Sequence, residues 1–99
     1  MELTITDNTA ESRFETTVDG HLATVEYVLS KGKIAFTHTE VPEALEGKGI
    51  ASGLAKYVLQ YARDHELKVI PLCPFISGYI RKHLDEYRDW LAPGYQDQF

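Results

Sequence analysis

Residues 46–53 read EGKGIASG, three glycines and a lysine in eight positions, immediately ahead of the clearest helical pattern in the chain. Ile50, Leu54, Tyr57, Val58, Tyr61 and Ala62 recur at helical spacing, which predicts an amphipathic helix over 49–65. At 1.5 Å per residue that helix is about 25 Å long. Upstream, residues 33–41 (KIAFTHTEV) read as a strand that Pro42 ends, because proline cannot donate to a ladder. Downstream, residues 68–73 (KVIPLC) read as a buried strand that Pro74 closes. Strand, glycine turn, helix and strand make a β-α-β crossover, and this unit decides the fold class. The turn alone has two readings. One is a plain joint built from flexible residues. The other is a phosphate cradle, since a helix start offers free N–H groups and the positive end of its dipole. Lys48 adds a local positive charge to such a cradle.

The chain before this unit has the period of strands. Residues 3–7 (LTITD) alternate weakly, and 12–18 (SRFETTV) are rich in β-branched and aromatic types. Asp19-Gly20 signals a hairpin into 21–29 (HLATVEYVL), and Lys31-Gly32-Lys33 turns the chain again. These segments form an antiparallel meander. After Pro74 a second helix is predicted over 75–84, with further helical turns over 85–91. Pro93-Gly94 ends the order, leaving YQDQF as a loose tail. The class is α+β, or mixed α/β, with the meander leading into the crossover and a C-terminal helix. At 99 residues, the reading is one domain over 1–99.

Composition narrows the function. The formal net charge is −5 with no run of Lys or Arg, which speaks against nucleic acid as a partner. The longest uncharged apolar stretch, VIPLCPFI, is too short for a bilayer, and the N-terminus lacks the pattern of a secretory signal. The expectation is a cytoplasmic protein with no membrane partner. Cys73 is the one cysteine, and the four histidines show no metal-ligand spacing, so no metal is expected. The turn does not fit the P-loop order GxxxxGK[ST] or the dinucleotide pattern GxGxxG.

Glu46-Gly47-Lys48-Gly49-Ile50-Ala51 resembles motif A of the GNAT superfamily of acyl-CoA-dependent N-acetyltransferases, written Q/R-x-x-G-x-G/A. Gly49 and Ala51 match its fourth and sixth positions, and Glu46 departs from its first. With HTEVPEALEGKGIA, LAKYVLQYAR and KVIPLCPFISGYIRKHLDEY around it, the chain is similar over about residues 12–90 to a compact, YjdJ-like acetyltransferase-domain subgroup. That subgroup lacks the N-terminal helices that shape the acceptor pocket in larger relatives.

The resemblance implies acetyl-CoA (coenzyme A) as cosubstrate and transfer of acetyl to a primary amine, on a small molecule or a protein. It implies that Gly47, Lys48, Gly49, Ile50 and Ala51 hold the pyrophosphate, and that Thr39, Glu40 and Val41 offer backbone groups to the pantetheine arm. The missing acceptor-shaping helices motivate a rival, a CoA-binding or interaction module with little or no transferase activity. Glu40 and His38 share one strand face by alternation, and either suits the general base. Tyr79 resembles the tyrosine that protonates the leaving thiolate, and it also fits a core aromatic. Cys73 reads either as a small buried hydrophobe or as an acyl-relay nucleophile beside a helix start. Tyr57 and Tyr61 are expected in the core, Trp90 as a packing anchor, and Gly53 inside the helix for close packing. Arg81, Lys82 and Lys56 are candidates for the CoA phosphates, or solvated helix faces.

Overall fold

A computed structural model describes residues 3–96. The chain runs β1 (Thr6–Asn8), β2 (Arg13–Val18), β3 (His21–Ser30), β4 (Lys33–Glu40), α1 (Ile50–Asp64), β5 (Lys68–Pro71), α2 (Pro74–Lys82) and α3 (Leu84–Tyr87). Short 3-10 turns cover Glu43–Leu45 and Arg88–Trp90. The five strands form one sheet in sequence order. The first four are antiparallel neighbours, and β5 runs parallel to β4. This is the meander and crossover expected from the hydrophobic periods.

Most differences lie at element ends. The first strand is shorter and later than 3–7. The last strand stops at Pro71 rather than Cys73, because the chain turns there and Cys73 becomes the N-cap of α2. The tail does not come loose at Gly94. Ala92 N–H donates to the Val69 carbonyl at 2.9 Å, and Gln96 Nε2 donates to the Leu91 carbonyl at 3.0 Å. Leu91 also bridges in parallel to Val69, so the segment after α3 lines the free edge of β5. Residues 97–99 of the expected tail, and residues 1–2, lie outside the described residues.

The core lies between α1 and one face of the sheet. Ile50, Leu54, Ala55, Val58, Leu59 and Ala62 form the buried stripe of α1. They meet Phe14, Val25, Tyr27, Ile34 and Phe36 from the strands, and Ile76 and Ile80 from α2. Phe14 is the aromatic hub, with the rings of Tyr27, Tyr61 and Tyr57 at 5.1, 5.0 and 5.9 Å. Tyr27 donates its phenol to Asp7 Oδ1 at 2.5 Å, tying β3 to β1. Burial, then that bond, pushes its pKa well above the ordinary phenol range. Tyr57, expected in the core, is 42% exposed, because it sits on the flank of the helical stripe. Gly53 is inside the helix for packing: a Cβ there would meet Leu3 Cδ1 at 2.7 Å. Trp90 anchors the C-terminal turns, with the Arg63 guanidinium 4.8 Å over its ring.

Phe14→Ala is expected to cost about 3–5 kcal/mol, since it empties the centre of this cluster. In a chain of this size that lowers Tm by more than about 10 °C in a calorimetric scan.

Candidate active site

The site begins where two parallel strands separate. β4 and β5 pair from Lys33↔Lys68 to Phe36↔Pro71. Pro71 has no N–H to continue the ladder. One more bond follows, from Cys73 N–H to the Phe36 carbonyl at 2.8 Å, and then the chain enters α2 while β4 runs on to Glu40. A wedge opens between them.

A bulge decides which side chains face that wedge. Along β3 and β4 the register steps from Tyr27↔Phe36 to Glu26↔His38, so Thr37 is an extra residue on β4. Its hydroxyl donates to the Glu26 carbonyl at 3.4 Å. Uninterrupted alternation would place His38 and Glu40 on the core side with Phe36. The extra residue reverses this. Thr39 pairs with buried Val25 and takes the core side, while His38, opposite exposed Glu26, is solvent-exposed on the other face with Glu40. Thr39 therefore meets Cys73, whose Sγ–H donates to Thr39 Oγ1 at 3.1 Å. Cys73 is 3% exposed at the N-cap of α2.

The glycine turn closes the wide end. Gly47 and Gly49 have φ of 80° and 76°, the left-handed region that favours glycine. Gly49 is the N-cap of α1, and no side chain caps the helix. Gly53 N–H bonds the Gly49 carbonyl at 3.0 Å, and the N–H groups before it have no helical partner. They open onto a cleft of about 510 Å³. Thr39, Val41, Gly47, Gly49, Ile50 and Ala51 line it, six of the residues singled out from the sequence. Leu45, Ser52 and Phe75 line it too, and no motif pointed to them. Glu46, the departure from the motif, is exposed on its wall.

Lys48 does not line the cleft. Its Nζ donates to Asp19 Oδ2 at 2.8 Å, at the tip of the β2–β3 hairpin. Sequence spacing hid this contact, because the partners are 29 residues apart. Tyr79 lines a separate hollow beside Ser52 and Phe75. Its ring lies 4.5 Å from His83 and 6.0 Å from Tyr87. Burial, then the neighbouring Tyr79, pushes the Tyr87 phenol up to about 12. Among the described residues no group of three or more His, Cys, Asp or Glu side chains is placed to hold a metal. No helix among them is long and apolar enough to cross a membrane.

A splayed β4–β5 pair and a glycine turn opening the central helix fit the resemblance to the N-acetyltransferases, and comparison with known proteins agrees. The profile of the GCN5-related N-acetyl-transferase family matches residues 13–90. The chain belongs to that family. Protein NATD1 from Xenopus tropicalis is 38% identical over 69 residues, 69% of this chain and 62% of the relative. The Homo sapiens Protein NATD1 is 39% identical over 69% of this chain and 60% of the relative. The chain thus spans less than two thirds of these relatives' own length. The solution NMR structure of a GCN5-like protein from Staphylococcus aureus superposes with a TM-score of 0.67 at 27% identity, covering 98% of this chain and 97% of that one.

The Asp19 carboxyl is held below the ordinary carboxylate range, first by the hydrogen bond from Lys48 and then by its charge. A depressed folded-state pKa contributes stability above the unfolded value, and that stability is lost as pH falls through the depressed value. Lys48→Met is expected to move the Asp19 titration back up toward the ordinary range, read by carboxyl-carbon NMR. An unchanged titration would show that the pair does not form in solution.

Proposed function

We propose that the protein binds acetyl-CoA in this cleft and transfers the acetyl group to a primary amine. The observation that carries the reading is the uncapped start of α1, with two left-handed glycines, facing a cleft that the bulge and the strand divergence leave open. In this reading the turn at Gly47–Ala51 takes the pyrophosphate on its N–H groups, as helix starts do. The backbone of β4 at Thr39 and Val41, past its last bond to β5, faces the amides of the pantetheine arm. The thioester then lies toward Thr39 and Cys73.

Cys73 is the proposed nucleophile. Its sulfur attacks the acetyl carbonyl, the new C–S bond forms as the bond to the CoA sulfur breaks, and the thiol proton passes to the departing CoA thiolate. A neutral amine then attacks the acetyl-cysteine, forming the amide and returning the cysteine thiol. The proton lost by the amine passes through water in the open wedge to His38 or Glu40, which stand on the opposite face of β4 from Cys73. Tyr79 is given no proton step, because it lines the neighbouring hollow instead. A CoA-binding module without transfer is the second reading. It is favoured by the exposure of Glu26, Val28, His38 and Glu40, a face where none of the described helices walls in an acceptor.

Acetyl-CoA at about 100 times its Kd stabilises the fold by about 2.7 kcal/mol, which raises Tm by roughly 10 °C or more. No shift at millimolar acetyl-CoA would remove the proposal. Intact mass is expected to show an acetyl adduct that Cys73→Ala loses. If acetyl-CoA binds while free CoA appears only at the uncatalysed rate across an amine panel, the module reading holds instead. Glu46→Gln removes a carboxylate from the phosphate side of the cleft, so calorimetry should show acetyl-CoA bound about two- to fivefold more tightly.

A further inference from the structure

Helices cover one face of the sheet, where α1 and α2 pack on Phe14, Val25, Ile34 and Phe36. The opposite face carries none of the described helices, and a solvated antiparallel face is ordinarily polar. This one holds an apolar row. Val28, Ala35 and Ile70 lie side by side across β3, β4 and β5, since Val28 pairs with Ala35 and Ala35 with Ile70. Each stands next to a buried residue of its own strand and so points away from the core. Val28 is 57% exposed. The rows on either side differ in charge. On one side is Lys33, between Ser30 and Lys68. On the other is Glu26, opposite His38, with Glu40 one row further out. Lys68 is engaged with the Asp89 carbonyl, and Arg13, which borders Glu26, is ion-paired with Glu15. Lys33, Glu26 and Glu40 have no ion-pair partner among the described residues.

A basic row, an apolar row and an acidic row in succession make a face that complements itself when turned end over end. A two-fold axis lying along the apolar row reverses the strand direction and stacks that row on its own copy. Lys33 of each copy then stands over the Glu26–His38 row of the other. We propose that this face is the interface of a homodimer of this chain, sheet packed on sheet. Stacked sheets lie about 10 Å apart, which lets apolar side chains meet and a lysine reach a carboxylate. Ten residues of β3 at about 3.3 Å each, and five strands about 4.8 Å apart, give a face of up to about 33 by 19 Å. A standard interface takes about 800 Å² of accessible surface from each partner, which a face of this size with its side-chain relief supplies. The second copy covers a sheet face that this chain's described helices leave bare. Glu40, two rows from the axis, stays at the rim, where the wedge opens. The inference stands on the sheet face alone and does not need the acetyl-CoA reading.

The test is analytical ultracentrifugation of the full chain and of Val28→Lys, Lys33→Glu and Glu26→Lys. The native chain of 11.2 kDa should sediment at twice that mass at micromolar concentration. Val28→Lys sets two ammonium groups against each other on the axis and should leave only monomer. Lys33→Glu and Glu26→Lys each set like charges across the interface twice, and each should weaken self-association about tenfold or more. An equimolar mixture of those two variants should recover the dimer, because in the mixed pair both contacts join opposite charges. Misfolded variants would not recover it. A monomeric native chain overturns the proposal and leaves the face to another partner. So does a dimer that Val28→Lys leaves intact, or a mixture that associates no better than its components. All three positions are exposed, so the substitutions leave the core intact.

Discussion

One extra residue in β4 arranges the rest of the site. A β-strand assigns alternate side chains to opposite faces, so inserting Thr37 exchanges the faces of every residue after it. Because of that exchange Thr39 and Cys73 meet at 3.1 Å on the core side, while His38 and Glu40 stand on the exposed side. The bulge also comes just where β5 loses its ladder at Pro71. A strand bent by a bulge next to a strand stopped by proline separates from it, and the cleft is that separation. Beside the bulge the Thr37 hydroxyl reaches the neighbouring Glu26 carbonyl, and Cys73 N–H still bonds the Phe36 carbonyl.

The glycine turn works with this wedge. Left-handed backbone at Gly47 and Gly49 brings the chain from the 3-10 turn at Glu43–Leu45 sharply into α1. A serine or aspartate cap would satisfy the first N–H groups of the helix internally. Gly49 leaves them without a side-chain cap. The local charges oppose any simple electrostatic account: Glu46 is on the wall of the cleft, and Lys48 is drawn away to Asp19. In the proposed acetyl-CoA reading, backbone N–H groups and the helix dipole therefore outweigh a nearby carboxylate. They can do so at contact distance, while an exposed carboxylate is screened by water and salt.

The core makes this geometry rigid. Phe14, Tyr27, Phe36 and the stripe of α1 lock the helix onto the sheet, so the end of α1 has a fixed place relative to β4. Leu3 over Gly53 closes the packing on the outer flank of the same helix.

Much of this was legible in the chain. Hydrophobic periods of 2 and 3.6 determined the meander, the crossover and the order of elements, because they record which faces must leave water. The glycine spacing before α1 located the turn, and six residues read from it and from the strand end line the cleft. Four things were decided only by tertiary structure. Alternation placed His38 and Glu40 together but could not say on which face, since a bulge leaves no period to read. The Lys48–Asp19 pair joins residues 29 apart. Leu45, Ser52 and Phe75 enter the cleft through the packing of separate elements. Cys73 leaves the strand to cap α2, because Pro71 and Pro74 turn the chain there. Sequence pattern carries local conformation and burial; the meeting of distant side chains depends on register and packing, which only the folded chain sets.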